Sequence, residues 1–164
     1  MPHVVCLRPV HPEAIERLRS APGVTVEVLD PVNEETIARA MPGADAVIVR
    51  ATRIDRTFLA HAPNLRIVAR HGVGYDAVDV DALTERGIPL TVTPDANAAS
   101  VAEHAMMLML NIARGTFAYD RKTRALEWSN PPVPNTFDLG GRTVLVVGFG
   151  RIGARTARLA AAFG

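Results

Sequence analysis

The sequence predicts an α/β fold: a parallel sheet with helices on both faces, followed by a second element that opens another strand–helix unit. Three observations carry this. Short apolar runs recur about every twenty residues. Several of those runs lack polar alternation, as strands covered on both faces do. The stretches between them carry helix start and stop signals and short links, the pattern of repeated βα units.

The elements follow in order. "VVCLR" (4–8) is the first strand, and "HPEAIERLRS" the first helix, with Pro12 in its first turn and Ile15 and Leu18 three apart. "VTVEVL" (24–29) leads to "NEETIARAMPG", where Asn33 is the N-cap, acids fill the first turn and Pro42–Gly43 stops the helix. "AVIVR" (46–50) leads to a helix from Asp55. "RIVAR" (66–70) leads to one from Asp79 to Gly87, and "PLTVT" (89–93) is the fifth strand.

After Thr93 the rhythm changes. "ASVAEHAMMLMLNIARG" reads as one long helix, with Ser100 near its start and Gly115 at its end. Val101, Ala105, Leu108 and Ile112 form an expected core stripe. Met106, Met107, Met109 and Leu110 make the other faces apolar, and only Glu103, His104 and Asn111 interrupt them. A helix apolar nearly all round is buried on most sides. Packing between two domains, packing between two subunits, and an ordinary core helix all satisfy that. In "SNPPVPNTFDLGG", Pro131, Pro132 and Pro134 rule out helix and predict an extended linker, after which "GRTVLVV" starts a new strand.

Composition narrows the function. The 164 residues are 48% hydrophobic and 21% charged, as in a soluble globular protein. A net charge of +1 and 5% aromatics argue against a nucleic-acid partner. Cys6 has no internal disulfide partner and lies in an apolar strand, consistent with a reducing compartment. No charged leader and no bilayer-length apolar stretch is evident, so the expected location is cytoplasmic, away from membranes. The five histidines lack zinc-ligand spacing. Asp76, Asp79 and Asp81 lack the glycine and glutamate of a calcium loop and suit helix capping instead, so no metal site is expected.

Two glycine motifs carry the chemistry. "GFGRIG" places Gly148, Gly150 and Gly153 between an apolar strand and a helix. The first permits a tight turn, the second lets backbone approach a pyrophosphate, and the third lets helix and strand pack closely. The helix N-terminus offers free N–H groups and a positive dipole, and Arg151 adds charge. The acidic residue that grips a ribose falls about twenty positions further on, outside 1–164, so NAD and NADP are not separated. The second motif, "ARHGVGYDAVDVDAL", opens from a strand end into Gly72–Val73–Gly74. Glycines around one residue free the backbone to expose N–H groups, a nest suited to carboxylate or phosphate, with Arg50 and Arg70 as candidate counter-charges. A plain strand–helix turn fits the same spacing. His71 adjoins the nest. Glu103 and His104 are sequence neighbours, pointing about 100° apart on a helix, and so do not form an acid–base pair.

Taken together, "RHGVGYDAVDVDALTERGIPLTVTPDANAASVAEHAMMLML" and "LGGRTVLVVGFGRIGARTARLAAAFG" resemble the D-isomer-specific 2-hydroxyacid dehydrogenases, over about Ala46 to Gly164. The resemblance implies a flavodoxin-like substrate-binding domain over 1–98, without its C-terminal return segment. Residues 99–164 then start an NAD-binding Rossmann domain: crossing helix, linker and first βα unit. It implies that the backbone of Val73 and Gly74 holds the substrate carboxylate, that Val73 lies close to the nicotinamide and that Arg151 and Ile152 contact the diphosphate. With the motif readings, the candidate substrate residues are Arg50, Gly72, Val73 and Gly74, and the candidate cofactor residues Val73, Gly148, Gly150, Arg151, Ile152 and Gly153. It implies a homodimer built through the long helix. The family's catalytic arginine, glutamate and histidine follow the glycine fingerprint, so no catalytic residue is expected within 1–164 and the chain reads as a truncated N-terminal half. The expected function is NAD-dependent oxidation of the CH–OH group of a D-2-hydroxy acid, with a complementing C-terminal half as the other candidate partner. A split dehydrogenase and a non-catalytic dimerising α/β module are the alternatives. A methyltransferase with a similar glycine loop fits the N-terminal segments poorly. Without neighbouring strands, "TVLVVGF" is expected to be a bare apolar strand with two open edges, so that 141–164 dock on another chain, are poorly ordered or drive aggregation.

Overall fold

The computed structural model describes residues 1–127 and 135–164. The expected linker prolines Pro131, Pro132 and Pro134 lie outside the described residues. The chain divides into two compact units, Met1–Pro94 and Asp95–Gly164.

The first unit holds all five expected strands: β1 (His3–Leu7), β2 (Thr25–Leu29), β3 (Ala46–Val49), β4 (Ile67–Arg70) and β5 (Leu90–Thr91). They form one parallel sheet in the order β2-β1-β3-β4-β5. This is a doubly wound, flavodoxin-like order, with its switch point between β1 and β3. Side chains alternate across the sheet. Val5 and Leu7 enter the larger core, with Val47, Val49, Val68, Phe58, Leu59 and Leu83. Val4 and Cys6 enter the smaller one, beside Ile15. Burial on both faces is why these strands are apolar without alternation.

The helices of this unit start where capping chemistry places them. α1 (Pro12–Arg19) has proline in its first turn. α2 (Glu34–Ala40) is closed by a capping box between Asn33 and Thr36, and a short 3-10 turn at Met41–Gly43 ends it. Asp55 caps α3 (Arg56–Ala60) and Asp79 caps α4 (Val80–Glu85). Each carboxylate accepts from a backbone N–H that the helix leaves unsatisfied. The capping role read for Asp79 therefore holds. Burial pushes the Cys6 thiol above its usual range.

The second unit contains α5 (Ala98–Arg114), α6 (Thr116–Arg124) and α7 (Arg151–Ala161). α5 begins after Asn97, slightly before the expected start, and ends at Gly115 with φ +59°, a left-handed cap that favours glycine. α6 starts immediately beyond that cap and has no counterpart among the elements expected from sequence. One expectation is corrected. The stripe Val101, Leu108 and Ile112 is exposed, and the buried face carries Ala98, Ala102, Met106 and Ala113. Small residues let α5 pack close to α7, so the seam follows alanines rather than the largest apolar side chains. The segment 143–148 forms no strand ladder among the described residues. Leu145 and Val147 are 84% and 91% exposed. A strand is defined by its neighbours, and the described residues supply none here.

Candidate functional site

The nest stands at the carboxyl end of β4. The His71 N–H donates to the Val49 carbonyl at 2.8 Å and the Gly72 N–H to the Arg70 carbonyl at 2.9 Å. The Gly72 carbonyl accepts from the Thr93 N–H at 3.0 Å. These bonds fix the turn to β3, β4 and the segment after β5. Beyond it, Val78 bridges to Ile54, and the Ile54 N–H donates to the Ala77 carbonyl at 2.9 Å. The nest is thereby held from both sides.

Gly72 adopts φ +152°, a conformation that side chains rarely take. A Cβ there would also lie 2.5 Å from Arg70 Nη1. The Arg70 guanidinium donates to the His71 carbonyl and lies against the Gly72 backbone. No acceptor among the described residues engages the Val73 or Gly74 N–H. Val73 is half-buried and Gly74 exposed. Two free backbone donors beside a fixed guanidinium suit a carboxylate. Of the two counter-charges considered, Arg70 is the one brought against the nest. Arg50 follows β3 and is exposed. Asp76 Oδ2 lies 3.4 Å from where a Gly74 Cβ would stand, so the site also carries one negative charge.

The glycine turn before α7 belongs to the second unit. Gly148 has φ +92°. A Cβ on Gly153 would run into the Gly148 carbonyl oxygen and come within 3.2 Å of Val146 Cγ1. The third glycine is therefore required by helix–turn packing. A Cβ on Gly150 would meet nothing within 4 Å, leaving space for a ligand to approach its backbone. Gly150 is the N-cap and supplies no side chain to the first-turn N–H groups of α7, which include those of Arg151, Ile152 and Gly153. These residues fit a diphosphate: open backbone, unused donors and a helix dipole.

One contact lay beyond the reach of sequence reasoning. Arg151 Nε lies 3.2 Å from Asp95 Oδ1, and Arg155 Nη1 lies 4.0 Å from the same oxygen. Asp95 stands 56 positions from Arg151 by number, and no local pattern signals such a pair. Glu103 and His104, two of the residues that interrupt the apolar faces of α5, are both exposed. No cluster that would hold a metal ion occurs among the described residues. None of the described helices is long and apolar enough to cross a membrane.

The chain is 45% identical over 142 residues to D-3-phosphoglycerate dehydrogenase of Mycobacterium bovis, covering 86% of this chain and 27% of that protein. It superposes on the TT0316 protein of Thermus thermophilus with a TM-score of 0.86 at 32% identity, covering 99% of this chain and 53% of that one. NAD-dependent formate dehydrogenase of Staphylococcus aureus, solved in complex with NAD, superposes with a TM-score of 0.85 at 27% identity, covering 99% and 54%. The chain thus spans about a quarter of the mycobacterial relative and about half of the solved ones. The family model for the D-isomer specific 2-hydroxyacid dehydrogenase catalytic domain matches residues 4–161. The chain belongs to the D-isomer specific 2-hydroxyacid dehydrogenase family.

Proposed function

We propose that the chain supplies the substrate nest and the diphosphate turn of an NAD-dependent oxidoreductase acting on the CH–OH group of a D-2-hydroxy acid. The observation that carries this is the pair of N–H groups at Val73 and Gly74, unengaged among the described residues, beside the Arg70 guanidinium. They receive the substrate carboxylate, and Arg50 adds charge from the neighbouring strand. Gly148, Gly150 and the first turn of α7, with Arg151 and Ile152, receive the cofactor diphosphate. A nicotinamide cofactor held there would supply the acceptor for the hydride of the carbinol carbon. Arg151 is drawn from Asp95 toward the diphosphate, so Asp95 opposes cofactor binding modestly.

Oxidation also requires a base for the hydroxyl proton and a cation that orients the carbonyl. We assign both to residues outside 1–164, from a longer polypeptide or a complementing one. The exposed Val101, Leu108 and Ile112 of α5 support homodimerisation through that helix.

The test is a titration of the isotopically labelled chain with D-glycerate, together with an assay of NAD reduction. Shifts of the Val73 and Gly74 amides without turnover are expected. Undisturbed amides would overturn the nest reading. NADH formation by the pure chain would overturn the assignment of base and cation elsewhere.

A further inference from the structure

At the carboxyl edge of the sheet Arg8 is a cation that the nest does not use. β1 and β3 flank the switch point, where open α/β sheets place ligands. Arginine follows each of these strands: Arg8 after Leu7 and Arg50 after Val49. Leu7 and Val49 are register partners, and Val49 pairs in turn with Arg70. Three arginines therefore stand at the ends of three consecutive strands. Arg8 and Arg50 are exposed, and neither side chain has an ion-pair or hydrogen-bond partner among the described residues. Asp30, after β2, stands on the other side of Arg8 but forms no ion pair with it. Arg8 also has φ +79°, in the left-handed region that non-glycine residues rarely enter. Its N–H donates to the Leu29 carbonyl at 3.0 Å, which holds the backbone there. Backbone strain of this kind at a non-glycine residue concentrates at ligand sites.

From this arrangement we infer that Arg8 is a specificity-determining residue, contacting a second anionic group at the end of the substrate remote from the nest. The inference rests on the nest reading above. β1 lies two strands from β4, about 10 Å at the backbone, so one carboxylate does not reach both the nest and Arg8. A 2-hydroxy acid with a phosphate or second carboxylate a few bonds away spans them, with Arg50 between. A substrate with a single carboxylate leaves Arg8 unused.

The experiment compares D-glycerate with D-3-phosphoglycerate in amide-shift titrations of the whole chain. The variants are Arg8→Asn, which removes the charge while suiting the left-handed backbone, and Arg8→Lys, which retains it. Arg8→Asn is expected to weaken D-3-phosphoglycerate about tenfold and leave D-glycerate unchanged, with most of the loss restored by Arg8→Lys. Equal binding of D-3-phosphoglycerate by Arg8→Asn and the parent chain would overturn the role of Arg8 while leaving the nest intact. An equal loss for both acids would overturn it too, by showing a general effect. Failure of both acids to move the Val73 and Gly74 amides of the parent chain would overturn the nest reading and this inference with it.

Discussion

The two units treat similar apolar sequence in opposite ways. In Met1–Pro94 the run "HVVCL" is a central strand, paired on both sides and covered on both faces, and Leu7 is 1% exposed. In Asp95–Gly164 the run "TVLVVGF" is as apolar, yet it pairs with nothing described and leaves Leu145 and Val147 open. Apolar character does not by itself make a strand. Neighbours make it, and they come from elsewhere in the sequence. The first unit contains its own neighbours. Among its described residues the second supplies none.

The largest expected effect comes from the same substitution in the two runs. Leu7→Ala removes a side chain from the filled core and should cost about 2–5 kcal/mol of stability. Leu145→Ala should stay within about 0.5 kcal/mol. Denaturant unfolding followed by circular dichroism checks both, and similar losses would erase the contrast.

Glycines sharpen it next. Gly153→Ala forces the new methyl against the Gly148 carbonyl and should cost about 1–3 kcal/mol in the second unit. Gly150→Ala meets open space and should leave stability unchanged while weakening NADH in a fluorescence titration. If both behaved alike, separate structural and ligand-facing roles for these glycines would be wrong.

A smaller effect on stability, with a clear one on assembly, is expected for Val147→Asp. An exposed apolar edge invites association, and an acid on it opposes pairing. Sedimentation should show less self-association than the parent chain, with the unfolding midpoint unmoved.

The smallest effect concerns pH. Arg56 holds the Glu85 carboxyl below its ordinary range through two hydrogen bonds of 2.5 and 2.6 Å. A carboxyl lowered in the folded state stabilises above its unfolded pKa, and that contribution fades as pH falls through the folded value. Both side chains are exposed, so the contribution is small. The stability difference between Glu85→Gln and the parent should therefore narrow as pH drops from neutral into the acid range. A gap that widened on acidification would reverse the assigned sign.

The first unit was legible because its signals are local. Asn33, Asp55 and Asp79 announce helix starts through hydrogen bonds spanning three residues, and the apolar runs already mark a sheet buried on both faces. The second unit was legible only where it is local too, at the Gly115 cap and the GFGRIG turn. The buried face of α5 was misread because a helix apolar all round gives periodicity nothing to choose between. What selects Ala98, Ala102 and Met106 is close packing, not hydrophobicity. At the site, the nest residues were visible as glycines around one position. The Arg70 guanidinium against Gly72 and the Asp95–Arg151 pair depend on side-chain paths that no spacing rule encodes.

Hydrogen exchange on a dilute, monomeric sample tests the contrast between the units most directly. Amides of Val47 and Val68 should be strongly protected, while those of Val144–Val147 should exchange at nearly the rate of an unstructured chain. Strong protection at Val144–Val147 in the monomer would mean that the second unit pairs its own strand, and would contradict the account.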